Sequence, residues 1–259
     1  MKHLFAYAEL PRTGLGNMLF PWARAFLFAR AHLCPMLAPN WIKVNRIGPL
    51  IRFERDKRYY FGQLTNKGYI GGLRKLFILL RHKSFSESEY SALSEGVCSF
   101  SGMGNYFKDI SGAGDILLNE LYRIANVKVV EELKKLPRRF IGVHIRRGDF
   151  VGGGLAIGED YYIRAIEKAV DVIGDENVPI LIFSDARKTE LEYLMHIKGV
   201  EIMPSKSALH DLLALAKADV LVGTNNSTFS GWAAFLGRMK SIWAEDGKPH
   251  DETLDGIFV

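Results

Sequence analysis

The chain has 259 residues, enough for one large domain or two small ones with real cores, and its 48% hydrophobic and 24% charged content is ordinary for a globular protein, which excludes disorder and repeat arrays. Its two cysteines, Cys34 and Cys98, have no second Cys or His at metal-ligand spacing, which argues against a zinc site and fits a reducing, cytoplasmic setting. The formal net charge of +5 suits anionic ligands such as diphosphates, or an anionic membrane surface, but is too dispersed to argue for nucleic acid.

The N-terminal stretch Met1 to Glu9 is apolar but short and ends in an acid, so it reads as a first strand, Leu4 to Leu10, and not as a signal peptide. No apolar run approaches the roughly 18–20 residues that span a bilayer, which points to a soluble or peripheral protein. Thr13-Gly14-Leu15-Gly16-Asn17 reads as a turn, Met18 to His32 as a helix stopped by Pro35, and Met36-Leu37-Ala38 as a short strand. Residues 41 to 130 are harder to order. Lys43, Arg46, Arg52, Arg55, Lys57 and Arg58 form a basic stretch with interleaved aromatics, and Leu73 to Lys83 is apolar with cations at both ends. An ordinary solvated face is the default for such charges, and docking on an anionic membrane is the alternative. Ser84 to Glu95 reads as a helix and Gly102 to Phe107 as a loop.

The second half alternates more plainly. Strands are expected at Phe140–Ile145, Pro179–Phe183, Val200–Met203, Val220–Val222 and Ser241–Trp243. Helices are expected at Tyr161–Ile173, Thr189–Ile197, Ala208–Ala218 and Ser227–Leu236. Strand–helix alternation at this spacing implies an α/β fold with a parallel sheet covered on both faces. The charged stretch Val127 to Arg138 places the join between halves, giving an N-terminal domain 1–130 and a C-terminal domain 131–259.

Ligands of open parallel sheets sit outside the carboxyl ends of the strands, and the polar residues collect there. His144-Ile145-Arg146-Arg147-Gly148-Asp149 ends one strand, Ser184-Asp185 the next, and Thr224 to Phe229 another. Alternation sends His144 and Arg146 to one side and Ile145 to the other. Two arginines leaving a buried strand need anionic partners, and a guanidinium makes forked bonds to phosphate that Lys cannot copy. Asp149 can hold one of them, and a salt-bridged strand end is the bland alternative. At Thr224 to Phe229, free backbone donors at a helix start, with Ser227 and Thr228 beside them, suit a diphosphate better than capping alone explains. Gly14 and Gly16 permit a tight turn or close approach of backbone to ligand. Asp211, on a helix, reads by itself as a solvated carboxylate. The general base must be a carboxylate or His within reach of the acceptor hydroxyl. Asp149, Glu159 and Asp160 are the candidates, the last two beyond the loop of Gly152-Gly153-Gly154.

Together these residues resemble the inverting fucosyltransferases, most closely the α-1,2-fucosyltransferases of glycosyltransferase family 11. Gly14-Leu15-Gly16-Asn17-Met18-Leu19-Phe20 is similar to that family's N-terminal motif, and Val143 to Asp149 to its His-x-Arg-Arg-x-Asp fingerprint. Asp160-Tyr161-Tyr162, Phe183-Ser184-Asp185 and Asn226 to Ala234 resemble further motifs, and Asn105-Tyr106-Phe107 resembles a fourth. The resemblance implies a GT-B-like fold of two facing Rossmann-like domains, the N-terminal one reduced, with the donor mainly on the second. It implies that Arg146, beside Arg147, binds the β-phosphate of GDP, that His144 and Asp211 contact guanine, and that Ser227 and Thr228 hold the diphosphate. Asp185 is implied on the donor side, and Gly14, Gly16 and Asn17 in the nucleotide-sugar site. Gly231 and Ala186 depart from the family pattern, which bears on acceptor choice.

The implied reaction moves L-fucose from GDP-fucose, as donor substrate with no cofactor, to a glycan hydroxyl, galactose O2, with inversion. No Asp-x-Asp occurs in the chain, so metal-independent chemistry is expected, with the arginine and the helix start stabilising the departing diphosphate. The acceptor class is an oligosaccharide or a lipid-linked glycan. The alternatives are a transferase using another nucleotide sugar, or a binder of nucleotide sugars or glycans without turnover.

Overall fold

A computed structural model describes residues 3–41, 60, 62–93, 95–147, 157–245 and 248–252, with side chains up to Ala244. The described residues form two compact units, one ending at Asn126 and the other starting at Val127.

In the first unit, β1 (Leu4–Glu9) leads into α1 (Leu15–Ala31) and β2 (Met36–Leu37). The helix opens at Leu15, three residues before its expected start, so Gly16 and Asn17 lie in its first turn and not in a turn before it. It stops at Ala31 without waiting for Pro35: Leu33 takes φ +49° and the Cys34 amide donates to the Ala29 carbonyl, closing the last turn. After α2 (Gly72–Arg81) come β3 (Ser84–Ser86), β4 (Gly96–Ser101) and α3 (Gly114–Ile124). The four strands form a parallel sheet in the order β2-β1-β4-β3. The helix expected over Ser84 to Glu95 is instead β3 and a single 3-10 turn at Glu87–Glu89. There Glu89 caps the Ser86 amide, so the start signal is real but no apolar period follows to propagate it.

The second unit begins with α4 (Val127–Leu133), a short helix where the sequence suggested only a charged join. Its β5 (Ile141–Ile145), α5 (Glu159–Ile173), β6 (Ile180–Ser184) and β7 (Val200–Ile202) follow the expected alternation. Then come α6 (Ala208–Leu215), β8 (Val220–Val222), α7 (Thr228–Gly237), β9 (Lys240–Glu245) and β10 (Lys248–Glu252). The segment expected as a helix over Thr189–Ile197 is a 3-10 helix, Lys188–Leu194. The sheet order is β10-β9-β8-β5-β6-β7. All its pairings are parallel except β9 with β10, an antiparallel edge strand not anticipated from sequence.

Alternation along β5 explains how both faces are covered. Ile141, Val143 and Ile145 join Tyr161, Tyr162, Ala165, Ile166 and Ala169 of α5 in one buried cluster, with Ile180, Ile182, Val220 and Val222 from the flanking strands. Gly142 points the other way, where a Cβ would lie 2.9 Å from the Ala218 Cβ and 3.2 Å from Leu215, so only glycine lets the end of α6 approach this closely.

Candidate functional site

The winding of the second sheet sets where its crevice lies. From β5 the chain steps outward through β6 to β7, then returns to the other side of β5 for β8 and β9. The crevice of such a sheet opens where the order reverses, at the carboxyl ends of β5 and β8. Main-chain pairing between these strands ends at Val143 with Val222. Beyond it, the fully buried Thr224 hydroxyl takes over the ladder. It donates to the His144 carbonyl at 2.7 Å and accepts from the Arg146 amide at 3.1 Å. Its one proton is thereby used, so the Tyr162 hydroxyl, 2.9 Å away, must be the donor in their bond. Every hydrogen-bonding position of Thr224 is filled, and the chain is held as it leaves β5.

Arg146 stands at that tip. Its Nη1 lies 2.8 Å from Asp185 Oδ2, and the other oxygen of Asp185 accepts from the Arg147 amide at 2.8 Å. One carboxylate at the end of β6 thus sets both the guanidinium of Arg146 and the backbone of Arg147. Ser184 supports this turn, donating to the Ile145 carbonyl at 2.7 Å and accepting from the Ala186 amide at 3.0 Å. Arg147 lies 3.9 Å from both Glu159, in the first turn of α5, and Glu190. These are ion pairs beyond hydrogen-bond length, and the buried Nε of Arg147 has no hydrogen-bond partner among the described residues. The sequence left Asp149 as the partner that holds an arginine; among the described residues Asp185, Glu159 and Glu190 take that part, and Asp149 itself lies outside them, as do Gly152 to Gly154.

His144 faces away from the α5 cluster. Its Nδ1 lies 2.6 Å from the Ser230 hydroxyl, and its ring packs 4.9 Å from the Phe229 ring. Burial, with the Arg146 charge adding to it, pushes the His144 pKa down to about 3, so the ring is neutral at ordinary pH. Ser230 also accepts from the Thr224 amide at 3.1 Å, and Ser227 caps α7 by accepting from the Ser230 amide. Thr228 is the first residue of α7. The helix start that carries Ser227 and Thr228 is therefore tied through Ser230 to both β5 and β8. Asn226, at φ +57°, makes the bend into the helix, and Asn225 locks the loop by bonding both backbone groups of Ala244.

Asp211 is not the solvated carboxylate it resembles in isolation. It sits mostly buried on α6, 2.9 Å from His210 Nδ1, and accepts from the Ser205 hydroxyl at 3.3 Å. His210 is fully buried and its Nε2 has no partner among the described residues. Gly14, Gly16 and Asn17 belong to the first unit, at the start of α1. Gly14 has φ −63° and open space where a Cβ would stand, so the local fold does not require glycine there. Sequence reasoning passed over Glu190 and His210, and it named Thr224 and Ser230 only as members of longer motifs, with no bond assigned to either. Thr224 heads the polar run that drew attention to this loop, Ser230 lies just past its end, and the buried strand before Thr224 was the available signal for its role. Among the described residues, no three His, Cys, Asp or Glu side chains are grouped to hold a metal ion.

A model of glycosyl transferase family 11 matches residues 71–254. No curated protein matches the chain. Among solved structures, the fucosyltransferase NodZ from Bradyrhizobium superposes with a TM-score of 0.66 at 15% identity, covering 98% of this chain and 100% of that one. NodZ, an alpha-1,6-fucosyltransferase co-crystallized with GDP, gives 0.65 at 14% identity over 98% of this chain and 99% of that one. POFUT1 in complex with GDP gives 0.56 at 15% identity over 92% and 95%. At this identity the likeness is one of fold: α/β, GT-B-like, with parallel sheets in two units.

Proposed function

We propose that this chain, which belongs to glycosyl transferase family 11, moves L-fucose from GDP-fucose to a hydroxyl of a glycan acceptor. The donor assignment is supported by the fucosyltransferases that share its fold, among them NodZ with GDP and NodZ soaked with GDP-fucose. The observation that carries the reading is Arg146 at the tip of β5, oriented by Asp185 beside the start of α7, at the point where the strand order reverses.

The chemistry follows from charge. As the acceptor oxygen attacks the anomeric carbon, the bond to the β-phosphate breaks and negative charge grows on the departing diphosphate. Arg146, with the α7 backbone donors behind Ser227 and Thr228, meets that charge. A guanidinium already fixed by Asp185 needs little reorganisation when the charge appears. Direct displacement inverts the anomeric centre. The chain has no Asp-x-Asp with which to recruit a cation, so we assign the stabilisation to these groups and expect metal-independent turnover. Neutral His144 and the carboxylate of Asp211 are assigned to the guanine, and Gly14, Gly16 and Asn17 are assigned to the nucleotide sugar. The acceptor is an oligosaccharide or lipid-linked glycan, with galactose O2 as the target hydroxyl. Its proton passes to a carboxylate, for which Asp149, Glu159 and Asp160 are the candidates.

The test is transfer from GDP-fucose to a panel of glycans read by gain of mass, with calorimetry of GDP, UDP and dTDP beside it. Arg146→Ala is expected to lose turnover by on the order of 100- to 1,000-fold with the fold intact. Turnover near wild type in that variant, or preference for UDP or dTDP, would overturn the assignment. EDTA is expected to leave the rate unchanged.

A further inference from the structure

Ten large hydrophobic side chains are exposed among the described residues; six stand singly along the chain, and four lie on α2. Those four are Leu73 at 85%, Leu76 at 53%, Phe77 at 60% and Leu80 at 79% exposed. Their spacing of three and four places them in one stripe about 100° wide. The fold does not need them. The opposite face of α2 already anchors the helix: Ile78 packs with Leu37 and Val97, Leu79 lies against the same cluster, and Lys75 is drawn inward over the Tyr7 ring, donating to the Ala38 carbonyl at 2.7 Å. The helix is thus apolar on two sides, and only one has a partner within its unit.

The charges of the segment that carries the stripe are of one sign. Arg74 and Arg81 are exposed on its flank, the Arg81 guanidinium lying 5.8 Å from the centre of the Phe77 ring, and Lys67 and Lys83 lie beyond the two ends. No acidic residue occurs between Thr65 and Ser86. A contiguous apolar stripe marks an interaction surface. Long cations that lie along it and keep their charge at the edge suit a partner that is apolar below and anionic at its surface. A second copy of this face would bring Arg74 and Arg81 against their own counterparts, which like-charge repulsion opposes. No helix among the described residues is long and apolar enough to cross a membrane, so contact of this kind would be peripheral.

We propose that the outer face of α2 docks on an anionic lipid bilayer, with Leu73, Leu76, Phe77 and Leu80 entering the interface and Arg74 and Arg81 at the headgroups. The full chain is mixed with vesicles of phosphatidylcholine alone, or of phosphatidylcholine with phosphatidylglycerol, and sedimented. Binding is expected on the anionic vesicles, weaker by about tenfold or more on the neutral ones and at high salt. Replacing the four apolar residues by Ser, or Arg74 and Arg81 by Glu, is expected to weaken binding by at least about tenfold. Circular dichroism and melting should stay unchanged, since these side chains are exposed. A Phe77→Trp chain, which keeps the stripe apolar, is expected to shift its emission to the blue on anionic vesicles. The proposal is overturned if wild-type chain stays in the supernatant, if the Ser variant pellets as wild type does, or if the stripe proves to hold a lipid-free dimer that the Ser variant dissolves.

Discussion

Replacing Thr224 by Val removes one hydroxyl and changes the shape little, so it isolates what that group does at the tip of β5. Thr224 is fully buried and three partners depend on it: the Arg146 amide, the His144 carbonyl and the Tyr162 hydroxyl. A buried polar group left without its partner costs about 1–3 kcal/mol. Allowing for relaxation of the Tyr162 hydroxyl, Thr224→Val is expected to destabilise the second unit by about 3–5 kcal/mol. Thr224→Ser keeps the hydroxyl and loses one methyl, a cost of about 1 kcal/mol. The informative quantity is the difference between the two variants. Urea titration with hydrogen-exchange mass spectrometry on the 140–147 peptide reads it locally, so unfolding of the first unit does not enter. GDP affinity is expected to fall with it, because the Arg146 backbone is set by the lost bond. A Val variant within about 0.5 kcal/mol of the Ser variant, the scale of an ordinary surface substitution, would refute the reasoning.

Asp185→Asn keeps an acceptor for the Arg147 amide but removes the charge beside Arg146, and kcat/KM for the donor is expected to fall roughly ten- to hundredfold, as a charged hydrogen bond of about 1.5–3 kcal/mol implies; steady-state kinetics read this. His144, held near pKa 3 when folded, takes up its proton near 6.5 when unfolded. Between those values the unfolded chain binds more protons, so stability is lost as pH falls, by up to about 1.4 kcal/mol per pH unit. Denaturant titrations from neutral to mildly acidic pH should show this slope in wild type and a shallower one in His144→Phe. At Gly223 a Cβ would stand 2.5 Å from the Trp243 ring, so Gly223→Ala is expected to cost about 1–3 kcal/mol by overpacking, read as a lower melting temperature.

Much of the second unit was legible because β5, β6 and β8 are short apolar runs buried on both faces, α5 carries a clear apolar stripe, and α7 is apolar along most of its length. Val220–Val222 was placed to the residue. The first unit was less legible for physical reasons. In α2 apolar residues occupy both sides, which hides the period, and β4 carries Ser99 and Ser101 among its apolar residues. At the site, the arginines, Asp185 and the α7 start were found from residue type and position in the chain. Their mutual bonds were not, because a counter-ion is chosen by sheet order: Asp185 meets Arg146 only because β6 lies beside β5, a neighbour relation that composition and spacing do not encode.

β5 has parallel neighbours on both edges. It cannot peel away from a free side, so its amides should be among the last in the unit to exchange with solvent. The arginine at its end is then mounted on a strand held from both sides. Any give during substrate entry or product departure must come from elements around that mount, and selection could reshape those elements without disturbing the anchored guanidinium.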